Sequence, residues 1–149
     1  ERGKRAGTEN LPGIIGLAAT LKDAQENMQQ NTAYITGLRD ALRNGLDKID
    51  GASFNGSREH CLPGTVNYSF QGVNGEALLS LLSNEGICCS SGSACSAGSL
   101  EPSHVLLALG LSHEMAQSAL RFSLCEYNTM DEVQTIITKV TEAVNRLRR

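Results

Sequence analysis

The stretch "TVNYSF", residues 65 to 70, alternates apolar and polar side chains and predicts a half-buried β-strand. Val66, Tyr68 and Phe70 would face a core, and the residues that alternate with them, Thr65, Asn67 and Ser69, would face away. A second stretch, "LRFSL" at residues 120 to 124, alternates in the same way and places its arginine opposite its apolar side chains. The two stretches therefore predict two strands of a small sheet.

A long helical pattern precedes these strands. Apolar residues recur at spacings of three and four between residues 12 and 49. Pro12 near the start and Gly51 just beyond the end suit the two ends of a helix. A helix of about 36 residues is about 54 Å long, which is more than a small domain needs. We expect it to bridge two bodies, with a kink near residues 31 to 37.

The rest of the chain alternates between short helices, short strands and turns. Asn74 and Ser112 are placed to cap helices, and Thr129 with Glu132 has the form of a capping box. The predicted elements are a loop at 51–64, helices at 75–84 and 102–109, a strand at 87–89, a short helix after 112 and a final helix after 129. The order α-β-α-β-α-α-β-α predicts an α/β fold in which helices cover a small sheet.

The composition suits one domain, or one domain with a piece of another. The chain has 149 residues, of which 40% are apolar and 4% aromatic, so its core must be aliphatic. A net charge of -3 gives no indication of a positively charged surface that would bind nucleic acid. No run approaches the roughly 18 apolar residues of a membrane span. Five cysteines without an apolar signal segment favour a reduced, cytoplasmic setting. Because residue 1 is not Met and no capped element begins there, we expect a fragment or a processed piece.

Cys95 lies in "SSGSACSAGSLEPSHVL", residues 90 to 106, among small residues that cannot bury enough apolar area to order a loop firmly. A buried cysteine behaves as a small hydrophobe with large apolar neighbours, and Cys95 has none in sequence. We therefore expect an accessible, mobile thiol that can act as a nucleophile. The alternative is an incidental cysteine in a surface loop, and composition alone favours neither.

Three further features could take part in chemistry. Arg121 lies within a predicted strand, where its guanidinium either reaches water or holds a carboxylate in a cleft. Thr8, just before the long helix, either helps to bind a phosphate or belongs to a plain loop. A metal cluster of Cys95, its neighbouring cysteines and His104 lacks the spacing of a zinc site, so we predict no metal. We expect the remaining cysteines to be structural: Cys61, Cys88, Cys89 and Cys125.

Three stretches together resemble the carboxy-terminal third of a NifS-like cysteine desulfurase, a pyridoxal-phosphate-dependent family. They are "RAGTEN" at residues 5 to 10, the stretch at residues 90 to 106, and "LRFSL" followed by "YNT" within residues 120 to 129. The resemblance implies the fold of type I pyridoxal-phosphate enzymes. Residues 1–13 would end the large cofactor-binding domain, residues 14–50 would form a long interdomain helix, and residues 51–149 would form the small domain with the catalytic cysteine loop.

The resemblance also implies roles for three residues. Cys95 would take sulfur from L-cysteine, leave L-alanine, and hold the sulfur as a persulfide for an iron–sulfur scaffold or another acceptor protein. Arg121 would pair with the substrate carboxylate. Thr8 would reach the phosphate of pyridoxal phosphate in the neighbouring subunit of a homodimer. The "YNT" triplet is similar to that of the nitrogen-fixation branch.

One departure limits the activity expected of this chain alone. The family's cofactor lysine follows a Ser-x-His pattern, and none of the four lysines, Lys4, Lys22, Lys48 and Lys139, has that context. We therefore expect the chain to be inactive without an N-terminal part of the same protein. The alternative functions are a non-enzymatic sulfur or iron–sulfur carrier that uses Cys95, and an interaction domain in which Cys95 is passive.

Overall fold

The computed structural model describes residue 3, residues 7–91 and residues 102–149 of the chain. Within them, helices and strands form the α/β arrangement that the sequence predicts, and the bounds of β2 and α2 are the predicted ones. The helices are α1 (Leu11–Leu46), α2 (Gly75–Asn84), α3 (His104–Ala108), α4 (His113–Gln117) and α5 (Met130–Leu147), and the strands are β1 (Ala52–Phe54), β2 (Thr65–Phe70) and β3 (Ala119–Ser123).

The sheet has the strand order β1-β2-β3, and both pairings are antiparallel. β2 therefore lies in the middle, with Tyr68 opposite Phe54 on one side and opposite Leu120 on the other. Val66, Tyr68 and Phe70 are fully buried, which confirms the inward face that their alternation predicts. The rings of Phe54 and Tyr68 meet edge to face, with their centroids 5.5 Å apart.

Three helices pack with this inward face into one continuous core. The C-terminal half of α1 and one face each of α2 and α5 supply leucines and valines. Because a helix repeats every third or fourth residue and a strand every second, each element turns one apolar face to this layer. The fully buried helix residues are Leu38, Leu42 and Leu46 of α1, Leu78 and Leu82 of α2, and Val133, Val140 and Val144 of α5.

The two halves of α1 differ in burial. The helix runs unbroken through residues 31–37, where the sequence predicts a kink. Its C-terminal half belongs to the core, whereas its N-terminal half exposes a row of apolar side chains: Leu11, Ile14, Ile15, Leu17, Leu21 and Met28. No helix in the described part of the chain is both long enough and apolar enough to cross a membrane.

Two of the predicted elements are wrong. Residues 51–64, predicted as a loop, contain β1, which is only three residues long and therefore shows no period of its own. It is a strand because it pairs with β2. Residues 87–89, predicted as a strand, form none; the next residue, Ser90, instead makes an isolated antiparallel bridge with Arg121. The observed order is α-β-β-α-α-α-β-α.

A buried hydroxyl fastens the C-terminal end of α1 to β2. The Tyr68 hydroxyl donates a hydrogen bond to Asp47 Oδ1 at 2.7 Å, and the guanidinium of Arg58 donates two more to the same carboxylate, each of 2.8 Å. The hydrogen bonds from Arg58 are the main cause that holds the pKa of Asp47 below its usual value. Burial is the main cause that raises the pKa of Tyr68. The Tyr68 phenol therefore stays protonated and can donate, and the Asp47 carboxylate stays ionised and can accept.

Gly75 and Gly37 offer a matched test of the packing at the start of α2. A Cβ added at Gly75 would collide with the backbone carbonyl oxygen of Gln117, whereas one added at Gly37 would meet nothing within 4 Å. We expect Gly75→Ala to lower the free energy of unfolding by about 1–3 kcal/mol, because a backbone atom cannot move aside alone. Gly37→Ala should raise it by about 0.5–1 kcal/mol, because alanine is the better helix former. Urea unfolding measures both, and equal stability of the two variants would contradict this packing.

Candidate functional site

Arg121 is held in the sheet from both sides of its strand. It lies within β3 between the buried Leu120 and Phe122, and its register partner in β2 is Asn67. On the other side it exchanges two hydrogen bonds with Ser90. The Arg121 N–H donates to the Ser90 carbonyl at 2.7 Å, and the Ser90 N–H donates to the Arg121 carbonyl at 3.0 Å. The backbone of Arg121 is therefore fixed relative to Ser90.

The side chain of Arg121 is half-buried, and it alternates with the core-facing residues of β3. Within the described residues its guanidinium makes no hydrogen bond and no ion pair. Every buried side-chain nitrogen in those residues has a partner, so the guanidinium nitrogens of Arg121 are not buried. Its N–H donors can therefore reach an incoming anion. A planar fork of donors suits a carboxylate, so this position is compatible with the substrate-binding role predicted from the sequence.

A cavity of about 640 Å³ opens at the end of β3. Two thiols and three carboxylates line it together with Ser123: Cys88, Cys125, Glu85, Asp131 and Glu132. Both of these thiols are exposed. The cavity therefore combines nucleophilic sulfur with acidic surroundings.

The adjacent cysteines Cys88 and Cys89 differ in burial. Cys89 packs against the main core, and burial is the main cause that raises the pKa of its thiol to about 11. Cys88 is exposed and lines the cavity. Cys89 therefore packs against the core as expected of a structural cysteine, whereas Cys88 does not.

The other predicted site residues are not joined into one centre by the described residues. Cys95 lies outside them, so its role stays a prediction. Thr8 lies just ahead of α1, whose N-cap is Asn10; the Asn10 side chain accepts a hydrogen bond from the Gly13 N–H at 3.1 Å. His104 is exposed at the start of α3. Across residues 7–91 and 102–149, no three His, Cys, Asp or Glu side chains are arranged to hold a metal ion.

Sequence reasoning missed a group of charged side chains around Cys61. The Arg39 guanidinium donates a hydrogen bond to Cys61 Sγ at 3.4 Å, and Arg43 Nη1 lies 4.0 Å from the same sulfur. The spacing of the two arginines, four residues apart in a helix, indicates that they share a face. Their meeting with Cys61, which the sequence treats as a structural loop residue, depends on the tertiary fold.

Comparison with known proteins assigns the chain to a family. The family model for class-V aminotransferases matches residues 2–136, and the chain belongs to that family. A cysteine desulfurase from Nostoc sp. is 46% identical over 149 residues, which cover 99% of this chain and 37% of that protein. The cysteine desulfurase IscS of Methanosarcina thermophila is 44% identical over 148 residues, which also cover 99% of this chain and 37% of that protein.

A solved structure described as a NifS-like protein has the same fold. It superimposes with a TM-score of 0.82 at 36% sequence identity, covering 97% of this chain and 36% of that one. The predicted fold class, that of the type I pyridoxal-phosphate enzymes, and the resemblance to NifS-like cysteine desulfurases are both confirmed. The chain spans 37% of the length of the relatives that it matches.

Cys88 and Cys89 should differ strongly in their reaction with iodoacetamide, because only the thiolate is readily alkylated. A thiol with a pKa of about 11 is about one-thousandth ionised at pH 8. We expect Cys88 to react first at pH 8, and the rate at Cys89 to rise about tenfold per pH unit until the pH approaches about 11. Tandem mass spectrometry of timed samples measures both rates, with the exposed Cys125 as a control. Equal rates at the two adjacent cysteines at pH 8 would show that Cys89 is not buried as described.

Proposed function

We propose that this chain is the part of a pyridoxal-phosphate-dependent cysteine desulfurase that binds L-cysteine and receives its sulfur. The observation that carries the proposal is the pairing of Arg121 with Ser90, which stands five positions before Cys95 in the sequence. Five residues span at most about 18 Å, so the chain tethers Cys95 within that distance of Ser90. A carboxylate held by Arg121 therefore lies in the neighbourhood that Cys95 can reach.

The names of the relatives support this assignment. Proteins called cysteine desulfurase, cysteine desulfurase IscS and cysteine desulfurase NifS match 99% of the chain at 46%, 44% and 43% identity. The names cover both the IscS and the NifS groups. They support the reaction class rather than one biological pathway.

The proposed reaction transfers sulfur from the substrate to the protein. Arg121 binds the carboxylate of L-cysteine through paired N–H···O hydrogen bonds. The Cys95 thiolate attacks the substrate sulfur, so that a sulfur–sulfur bond forms and the carbon–sulfur bond breaks. The electron pair of the broken bond stays on carbon, which takes a proton and becomes L-alanine. The outer sulfur of the Cys95 persulfide then passes to a thiol of an acceptor protein, such as an iron–sulfur scaffold.

Pyridoxal phosphate, when bound, supplies the electron sink that weakens the carbon–sulfur bond. Of this chain's residues we assign Thr8 to the cofactor phosphate, across the interface of a homodimer. None of the four lysines has the Ser-x-His context of the family's anchor. Two of them are also ion-paired, Lys139 with Glu85 at 3.0 Å and Lys22 with Glu26 at 3.8 Å. We therefore assign the cofactor lysine to the whole protein outside this chain, and we expect the chain alone to be inactive.

The burial of α1 supports the proposed division into domains. In that division residues 1–13 end the large domain, residues 14–50 form the interdomain helix and residues 51–149 form the small domain. The exposed apolar row on the N-terminal half of α1 is a surface that a second body would cover, whereas the C-terminal half belongs to the core described above. The four described cysteines are all free, which supports a reducing, cytoplasmic compartment.

Replacing Cys95 tests the sulfur-transfer step. In the whole protein, Cys95→Ser should abolish sulfane-sulfur transfer while the visible absorption band of bound pyridoxal phosphate is retained, because a hydroxyl cannot hold a persulfide. Cys61→Ser is the matched control and should retain transfer. Retained transfer in Cys95→Ser would remove the assigned role. A whole protein that lacks the cofactor band but carries sulfane sulfur on Cys95 would replace the enzyme proposal with the carrier function.

Replacing Arg121 tests substrate binding. Hydrogen bonds to a charged group contribute about 1.5–3 kcal/mol, so we expect Arg121→Ala to raise KM for L-cysteine about ten- to one-hundred-fold. Arg121→Lys keeps the charge but loses the fork, and it should give an intermediate KM. Arg146→Ala, on the exposed face of α5, is the control for loss of a positive charge. Steady-state kinetics measure the effect, and unchanged KM and kcat in Arg121→Ala would show that the assigned role is wrong.

A further inference from the structure

A cleft of about 350 Å³ beside the C-terminal half of α1 is lined by three guanidinium groups. Arg39 and Arg43 lie one helical turn apart on α1, and Arg58 follows β1 in the chain. A second cavity, of about 240 Å³, is lined by Cys61 and His60. Because Cys61 Sγ lies 3.4 Å from Arg39 Nη1 and 4.0 Å from Arg43 Nη1, the sulfur stands where the two cavities adjoin.

Arg43 is the most constrained of the three arginines, with only 8% of its surface exposed. Its guanidinium lies over the ring of Phe54, 4.7 Å from the centroid. The hydrogen bonds that it makes within the described residues all start from Nη1, which donates to the Arg58 carbonyl at 3.3 Å and to Cys61 Sγ at 4.0 Å. Nε and Nη2 keep donors that no described group accepts. Since no buried side-chain nitrogen of the described residues lacks a partner, these two nitrogens are not sealed from solvent, and Arg43 lines the cleft.

The charges around the cleft do not cancel. Asp40 Oδ1 lies 2.9 Å from Arg39 Nη2 and 3.7 Å from Arg43 Nη1. Asp47 pairs with Arg58 at 2.8 Å. Two carboxylates thus face three guanidinium groups, which leaves one positive charge in excess. The excess charge and the remaining donors of Arg43 suit the carboxylate of a small ligand.

We propose that Cys61 is a modification site for small, carboxylate-bearing disulfides of the glutathione disulfide class, which the arginine cleft binds through a carboxylate. Cys61 is half-exposed, so a small reagent can reach its sulfur. A carboxylate held by Arg39 and Arg43 brings the sulfur atoms of such a disulfide close to Cys61 Sγ. This site uses neither Cys95 nor pyridoxal phosphate, so it is independent of the proposed function.

The reaction at this site is thiol–disulfide exchange. The Cys61 thiol releases its proton to solvent, and its sulfur attacks one sulfur of the disulfide. A new sulfur–sulfur bond joins Cys61 to half of the reagent, and the bond within the reagent breaks. The leaving half departs with the electron pair as a thiolate. The Cys61 sulfur is oxidised and the leaving thiol is reduced, so no other oxidant is needed.

The chain contains its own control for the charge argument. Cys88 and Cys125 are exposed, but they line the cavity that carries Asp131 and Glu132; a third carboxylate there, Glu85, is paired with Lys139 at 3.0 Å. An anionic disulfide is attracted to the surroundings of Cys61 and repelled from those of the other two thiols. A cationic disulfide should show the reverse preference.

The test compares reagents of opposite charge on the whole protein. Timed samples react with the dianionic 5,5′-dithiobis(2-nitrobenzoate) or with the dicationic cystamine, and mass spectrometry gives the rate at each cysteine. Each rate is divided by that for the neutral methyl methanethiosulfonate to correct for exposure. The anionic-to-cationic ratio at Cys61 should exceed that at Cys125 by about tenfold or more. An equal or lower ratio at Cys61 would overturn the proposal.

Two further measurements separate charge from local geometry. Arg39→Gln should lower the rate of the anionic reagent at Cys61 several-fold while the neutral reagent is unaffected, and Arg39→Lys should retain most of the anionic rate. An equal fall for both reagents in Arg39→Gln would show a purely structural role and overturn the proposal. Without any substitution, raising salt to about 0.5 M should slow only the anionic reagent at Cys61, because exposed charges are then screened.

The last experiment uses glutathione disulfide itself as the reagent and identifies which of Cys61, Cys88 and Cys125 it modifies first. At limiting reagent, Cys61 of the whole protein should gain a glutathionyl group before Cys88 and Cys125 do, and Cys61→Ser should remove this early modification. First modification at Cys88 or Cys125 instead would show that the arginine cleft does not select this class of disulfide.

Discussion

The antiparallel pairing of β2 with β3 is the constraint on which the rest of the described structure depends. β2 is the central strand, so a slip of one residue in its register would turn Val66, Tyr68 and Phe70 from the core to the outer face. The same register places Arg121 between β2 and Ser90. One set of backbone hydrogen bonds therefore decides both the packing of the core and the position of the candidate substrate-binding side chain.

α1 connects this core to surfaces with different chemistry. Its C-terminal half adds leucines to the core, and its end is held by the hydrogen bond between Tyr68 and Asp47. On the same half, Arg39 and Arg43 turn toward Cys61 and form a basic cleft. The acidic cavity at the end of β3 lies among other elements. Cys61 thus has positively charged neighbours, whereas Cys88 and Cys125 have negatively charged ones. Side chains distant in sequence provide these charges.

Local patterns in the sequence by themselves determined several elements and the residues worth testing. The alternation of β2, the Asn74 cap of α2 and the capping box of Thr129 with Glu132 all recur in the structure, because each acts within a few residues. The run of small residues around Cys95 and the arginine within an apolar strand also identified candidates for chemistry without a structure. The family resemblance rested on the same stretches.

Only the tertiary structure decided the features that depend on partners far away in the chain. β1 has three residues and the bridge of Ser90 has one, so neither carries a period that a sequence can show. The helical stripe of α1 continues through both halves, yet only the C-terminal half is buried within the described structure. The contact of Arg43 with Cys61 likewise joins residues that are far apart in the sequence. Contacts between residues so distant in sequence arise only when the helix packs on the sheet. The local spacing of residues does not predict that packing.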